Sequence, residues 1–300
     1  MGTIYMKRAV ITGPTGSIGI ALINELEANG IEVVAVVRPG SKRADRIKES
    51  PLVKCVKCDL SKLDKLPELI PDGADVFYHF GWDGTFGDSR NNMKGQNLNV
   101  KYALDAVEAA SKLGCKTFVG AGSQAEYGRF EGKLNGSTPT FPENGYGIAK
   151  LCAGQMTRIM CQQKGIKHIW TRILSIYGPY DGEKTMVMST IDRLLKGEVP
   201  SCTKGEQMWD FLYSKDAALA MRLLGEKGID GKIYCIGSGQ ARPLKEYINI
   251  MGESIDSTIQ IGFGDIPYSP NQVMYLCADI EDLKADTGFE PQYTFETDVP

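Results

Sequence analysis

The stretch KRAVITGPTGSIGIALINELEANG, residues 7–30, decides the architecture of this chain. It opens on a short apolar run, turns through three glycines, and continues with apolar residues spaced along one face of a helix. KRAVIT reads as a buried strand and SIGIALINELEANG as the helix after it. The alternation then recurs. IEVVAVV, LVKCVKC, DVFYHF and KTFVGA read as strands, NLNVKYALDAVEAASKLG and GIAKLCAGQMTRIMCQQKG as helices, and IKHIWTRIL as a further strand. Strands separated by helices imply βαβ units and a parallel sheet.

The turn itself carries Gly13, Gly16 and Gly19, with Thr15, Ser17 and Ile18 between them. Glycine lets the backbone turn tightly and come close to a pyrophosphate, whose charge sits at a helix N-terminus. A glycine triplet between a strand and an amphipathic helix is the context that marks a dinucleotide site. The expected fold is therefore α/β, a Rossmann-type doubly wound parallel sheet. Beyond Pro179 the rhythm shortens and mixes, which points to a smaller mixed α/β C-terminal substrate lobe. SKDAALAMRLLGEKG and KIYCIG read as returning to the main sheet. The expected division is residues 1–178 with 212–238 for the dinucleotide domain, and 179–211 with 239–300 for the lobe.

The end of the second strand bears on which dinucleotide binds. An NAD-preferring site usually offers an acid there for the ribose 2′-hydroxyl. VVAVVRPGSKR instead has Val37 followed by Arg38, with Lys42 and Arg43 nearby. A guanidinium suits a 2′-phosphate, so NADP is expected over NAD. Asp59 and Leu60 close the third strand, where an aspartate can accept from an adenine amino group.

Charge is nearly balanced, at −3 over 300 residues, so nothing suggests a nucleic-acid surface or a polybasic membrane anchor. No apolar run approaches the roughly 20 residues of a membrane helix, and the N-terminus lacks a signal-peptide core. A cytoplasmic protein is the expectation, with residues 1–5 as a short extension. The eight cysteines read as reduced, mostly buried thiols. Cys55 and Cys58 form a lone CxxC with no second pair or nearby histidine, which argues against zinc. No metal is expected.

With only two histidines in the chain, acid/base work falls to another group. ENGYGIAK, residues 143–150, puts Tyr146 and Lys150 one helical turn apart, and Ser123 follows the strand KTFVGAG. A lysine ammonium near a phenol favours the phenolate. A serine hydroxyl beside them can share the same substrate oxygen. Such a trio can protonate a carbonyl as hydride arrives, or deprotonate an alcohol as hydride leaves.

TGPTGSIG, Asp59-Leu60, YHFGWDG, Asn99, GSQAEYG, YGIAK, RILSIYGP and WDFLYSKDAA occur in this order, and ADIEDLKADTGFEP follows near the C-terminus. Over nearly its whole length the chain resembles the extended short-chain dehydrogenase/reductase family, particularly its NAD(P)-dependent nucleotide-sugar epimerases, dehydratases and reductases. The resemblance implies Tyr146 as acid/base, Lys150 on the nicotinamide ribose, and Ser123 completing the triad. It implies that Asn99 supports the site and that His79, Phe80 and Gly81 line the cofactor, His79 in a structural role. Trp82, Gln124 and Ser175 are expected towards the substrate, with Trp209 there too, either stacking on a base or sugar or packing as a core aromatic. The resemblance also implies a homodimer through the helix after the fourth strand and the Tyr-Lys helix, where Leu151, Met156, Ile159 and Met160 supply apolar surface.

The departures narrow the reading. Dehydratases of this family carry Asp-Glu directly after the Ser/Thr; here those positions are Gln124 and Ala125, which exchange no proton. Glu126 is one residue late and, if strand alternation continues, faces the other way. Ser175 stands where the family often has asparagine, and Trp209 where many members grip the diphosphate with arginine. Lys184, Arg193, Lys204 and Arg242 are candidate replacements. The expected function is NADPH-dependent reduction of a keto (4-keto-6-deoxy) nucleotide sugar. The alternatives are a nucleotide-sugar 4-epimerase with tightly held NAD, and a non-catalytic dinucleotide-binding regulator.

Overall fold

The computed structural model describes residues 5–270 and 272–297; of the expected N-terminal extension, only Tyr5 lies within them. The chain alternates strands and helices as its apolar pattern dictates. The strands are β1 (Arg8–Thr12), β2 (Glu32–Val37), β3 (Val53–Lys57), β4 (Val76–His79), β5 (Thr117–Ser123), β6 (Lys167–Ile173), β7 (Ser175–Tyr177), β8 (Met208–Trp209), β9 (Phe211–Tyr213), β10 (Ile233–Ile236), β11 (Arg242–Pro243) and β12 (Tyr275–Leu276). The helices are α1 (Ser17–Ala28), α2 (Leu66–Leu69), α3 (Met93–Lys112), α4 (Gly145–Lys164), α5 (Met186–Leu195), α6 (Ser214–Lys227), α7 (Leu244–Ile255) and α8 (Glu281–Thr287).

Seven strands form one parallel sheet in the order β10-β6-β5-β4-β1-β2-β3. The order reverses between β1 and β4, the crevice where doubly wound sheets bind ligands at their C-terminal strand ends. Strands β1, β2 and β4 are buried along nearly their whole length, as expected when helices cover both faces. On one face α1 packs against α6, and on the other α3 packs against α4. Two apolar clusters fill these layers, one including Ile11, Leu22, Val33 and Met221, the other Val10, Phe77, Val107 and Phe118.

A third cluster, built on Tyr177, Val187, Ile191, Phe211, Tyr247 and Phe295, joins α5 to α7 and the short strands. There β7 pairs with β9, and β8 sits between β11 and β12. Asn144 caps α4 by accepting from Gly147 N at 2.9 Å, which fixes where the Tyr146–Lys150 turn begins. Asn92 caps α3 in the same way, so that helix starts at Met93, earlier than the apolar run at Asn97 suggests. Both histidines are packing groups. His79 bonds Thr12 Oγ1 through Nδ1 at 2.9 Å, and burial drops its pKa to about 3. His168 stacks between Phe118 and Trp170 and meets Thr157. No described helix is long and apolar enough to cross a membrane.

Candidate active site

The glycine turn lies at the sheet's crevice, at the C-terminal end of β1. Gly13 has φ +70°, and a Cβ there would come within 2.7 Å of the Phe80–Gly81 backbone after β4. Gly16 differs. A Cβ there meets only Gly13 O, at 4.0 Å, so its bare backbone faces open cavity rather than protein. That is the surface a pyrophosphate needs at the start of α1.

The cavity over this turn has a volume of about 720 Å³. Gly13, Thr15, Gly16, Ser17, Ile18 and Gly19 line it, as do Phe80, Gly81, Ser123, Tyr146 and Lys150. Trp82, expected on the substrate side, also lies here. Its ring faces Lys150 Nζ, 3.8 Å from the ring centroid. Of the residues expected at the cofactor, Arg38, Asp59, Leu60 and Asn99 stand behind or beside this cavity instead of lining it. Arg38 is mostly exposed, 4.0 Å from Asp83. The cavity's arginines are Arg43 and Arg46, the latter donating to Thr15 O at 3.2 Å and lying over the Tyr180 ring. Asp59 caps the turn after β3 through Ser61. Leu60 packs against Gly81. Asn99 braces the loop after β4, accepting from Asp83 N at 3.0 Å and donating to Asp83 O at 2.8 Å.

A second cavity, about 700 Å³, opens between the main sheet and the third cluster. Gln124, Ser175, Trp209, Arg193 and Arg90 line it. Ser123, Tyr146 and Asp181 line both cavities, so the two volumes meet at the serine and the phenol. Lys184 lines the first cavity and Arg193 the second, whereas Arg242 is tied to Glu296. The two positions where the sequence departs from its family pattern touch each other: Trp209 Nε1 donates to Ser175 Oγ at 2.8 Å. Together they make the wall that an asparagine and an arginine would otherwise occupy.

Ser123 ends β5 and caps the turn Gln124–Glu126. Its Oγ accepts from Ala125 N at 3.2 Å, and its own N–H donates to Glu126 Oε1 at 2.9 Å. Strand alternation stops here, so Glu126 does not simply point away. It folds into the interior, fully buried, where it accepts from Trp170 Nε1 at 3.0 Å and Arg172 Nε at 2.8 Å. A carboxylate held this way is spoken for by its partners.

Tyr146 is half-buried, with Trp82 edge-on at 6.2 Å between ring centroids. Desolvation raises its pKa; Ser123 and the Arg90 guanidinium pull the other way, and Glu126 adds to the rise. Lys150 is buried, its Nζ donating to Ala121 O at 2.6 Å. Burial lowers its pKa to about 7, with Glu126 opposing. Lys150 Nζ lies 5.7 Å from the Tyr146 ring centroid. Arg90, whose Cζ lies 4.6 Å from the Tyr146 ring centroid, is a second cation on the phenol. Sequence reasoning missed it, because nothing in SRNN distinguishes it from a solvated arginine.

The comparisons with known proteins agree with this geometry. Residues 9–237 match the family model described as NAD dependent epimerase/dehydratase family. The chain is 24% identical over 306 residues to CDP-abequose synthase of Salmonella typhimurium, covering 99% of this chain and 97% of that one. It is 26% identical over 262 residues to the trifunctional UDP-glucose 4,6-dehydratase/UDP-4-keto-6-deoxy-D-glucose 3,5-epimerase/UDP-4-keto-L-rhamnose-reductase of Arabidopsis thaliana. That match covers 82% of this chain but 39% of the plant protein. Among solved structures, UDP-N-acetylglucosamine 4-epimerase of Methanobrevibacter ruminantium superposes with a TM-score of 0.86 at 22% identity, covering 100% of this chain and 96% of that one. UDP-glucose 4-epimerase of Thermotoga maritima gives 0.85 at 21% identity, over 97% and 96%. The glycine turn, the two joined cavities and the matched residues make one case: the chain belongs to the NAD dependent epimerase/dehydratase family.

Proposed function

We propose that the chain is an NADPH-dependent reductase of a 4-keto-6-deoxy nucleotide sugar, with Tyr146 as the acid. The observation that carries this reading is the junction of the two cavities at Ser123 and Tyr146, with Lys150 on the cofactor side. A bound reduced nicotinamide dinucleotide supplies the hydride. The chain's own residues do the rest. The turn Gly13–Gly19 seats the pyrophosphate, and Lys150 holds the nicotinamide ribose. Ser123 Oγ accepts from Ala125 N and bonds the Tyr146 phenol, so a substrate oxygen is placed beside both hydroxyls. Tyr146 gives that oxygen its proton.

Two observations speak against water elimination. Gln124 stands where a dehydratase needs an acid, and Glu126, two residues on, is buried and paired with Arg172. For the cofactor, the absence of an acid at Val37–Arg38 and the arginines at 38, 43 and 46 support NADP. Met156 and Ile159, both more than two-fifths exposed on α4, support a homodimer through that helix.

Two measurements test the reading. Purified protein is offered 4-keto-6-deoxy nucleotide sugars with NADPH, and net NADPH oxidation is followed. Stereochemical interconversion without net oxidation, in protein that carries NAD, would replace it with the epimerase. NADP binding in the Arg38→Ala and Arg43→Ala variants tests the cofactor: loss confined to NADP supports the assignment, and equal loss of NAD binding overturns it.

A further inference from the structure

Arg90 belongs to the turn Gly87–Asn91, which is clamped from two sides. Asn91 Oδ1 accepts from Gly145 N, the first residue of α4, at 3.0 Å. From α3, Gln96 Nε2 donates to Ser89 O at 3.1 Å and to Gly84 O at 2.8 Å. These bonds fix the turn against the start of the helix that carries Tyr146. Arg90 reaches from it across the face of that phenol and lines the substrate cavity. Among the described residues it has no ion-pair partner, unlike Arg38 with Asp83 or Arg193 with Glu198.

Lys150 is placed differently. One Nζ donor goes to Ala121 O, and the ammonium lies 3.8 Å from the Trp82 ring centroid and 5.7 Å from that of Tyr146. A guanidinium keeps its charge across the working pH range, whereas a buried ammonium sheds its proton readily. Cations are drawn to an aromatic face, and more strongly once the ring carries an oxyanion.

We infer that Arg90 is a positioning residue that stabilises the Tyr146 phenolate. When a substrate oxygen takes the phenolic proton, the electron pair of the broken O–H bond stays on Tyr146, beneath the guanidinium. The inference rests on the reading of Tyr146 as the acid. The groups acting on the phenol are Arg90 from the clamped turn, Ser123 from the end of β5, Glu126 from the turn after it and Lys150 from the same helix, while Asp181 lines the same cavity. Of these, Arg90 has its charged group nearest the face of the phenol ring, 4.6 Å from the centroid against 5.7 Å for Lys150.

The test does not need turnover. Protein labelled with 13Cζ-tyrosine is titrated to pH 11.5, and the Tyr146 signal is assigned by its loss in Tyr146→Phe. Arg90→Met should raise the midpoint by about one unit, a tenfold loss of phenolate at fixed pH. Arg90→Lys should recover part of that, and Arg90→Gln, a second neutral variant, should match Arg90→Met. An unchanged midpoint in both neutral variants overturns the inference. Full turnover in Tyr146→Phe would instead remove the acid reading and leave the titration result standing by itself.

Discussion

Glu126 is the side chain on which stability and site geometry are most tightly joined. It is fully buried and accepts from Ser123 N, Trp170 Nε1 and Arg172 Nε at 2.8–3.0 Å, and Arg172 is itself only 2% exposed. Truncation by Glu126→Ala leaves a guanidinium in the interior without its carboxylate and frees the N–H of Ser123. Breaking a buried pair from one side costs about 3–5 kcal/mol. Arg172→Met strands the carboxylate instead and should cost a similar amount. In Glu126→Ala/Arg172→Met neither charge is left alone, so the loss should fall short of the sum of the single losses by about 2 kcal/mol or more. Urea unfolding of the four proteins, with a common m-value checked first, reads these differences. Single variants within about 1 kcal/mol of the parent, or strictly additive losses, would refute the role given to the pair. Because Glu126 also holds Ser123, the double variant should recover stability more fully than turnover.

Other outcomes follow from single contacts. Gly16→Val should leave the melting temperature close to the parent's, since a side chain there meets open cavity. It should nonetheless abolish dinucleotide binding by calorimetry; a variant that binds normally would move the pyrophosphate elsewhere. Lys150→Met should stabilise the cofactor-free protein at pH 6, with the gain shrinking towards pH 10. Below pH 7 the lysine is protonated folded and unfolded alike, and the fold bears the cost of burying it. Between about 7 and 10.5 the unfolded chain holds the extra proton, so parent stability rises with pH across that window. Melting curves at several pH values check the sign, and a gain independent of pH would contradict it.

Much of this was legible in the chain before its fold was known. Local alternation of apolar runs and helical faces is enough to place seven parallel strands. A glycine triplet between β1 and α1 is enough to place the crevice. What escaped depends on distant residues meeting. Arg90 matters because Asn91 ties its turn to Gly145, 54 residues on, and no periodicity encodes that. Glu126 was read by extending strand alternation, yet the strand ends at Ser123 and the next turn rotates the carboxylate into the core. Ser175 and Trp209 each looked like an isolated departure. Parallel pairing of β7 with β9 brings their neighbourhoods together and lets the indole bond the hydroxyl. The arginines show the same limit: the position after β2 pointed to Arg38, while the fold puts Arg43 and Arg46 on the cavity wall.

The central claim is that Tyr146 protonates a carbonyl oxygen where the two cavities meet. Its most direct test compares single-turnover NADPH oxidation by parent and Tyr146→Phe with a 4-keto-6-deoxy nucleotide sugar, after showing that both bind the dinucleotide equally. The account predicts that the phenylalanine variant binds normally and loses at least about a hundredfold in rate, the lower range for removing a general acid. A variant that oxidises NADPH at the parent rate would contradict it.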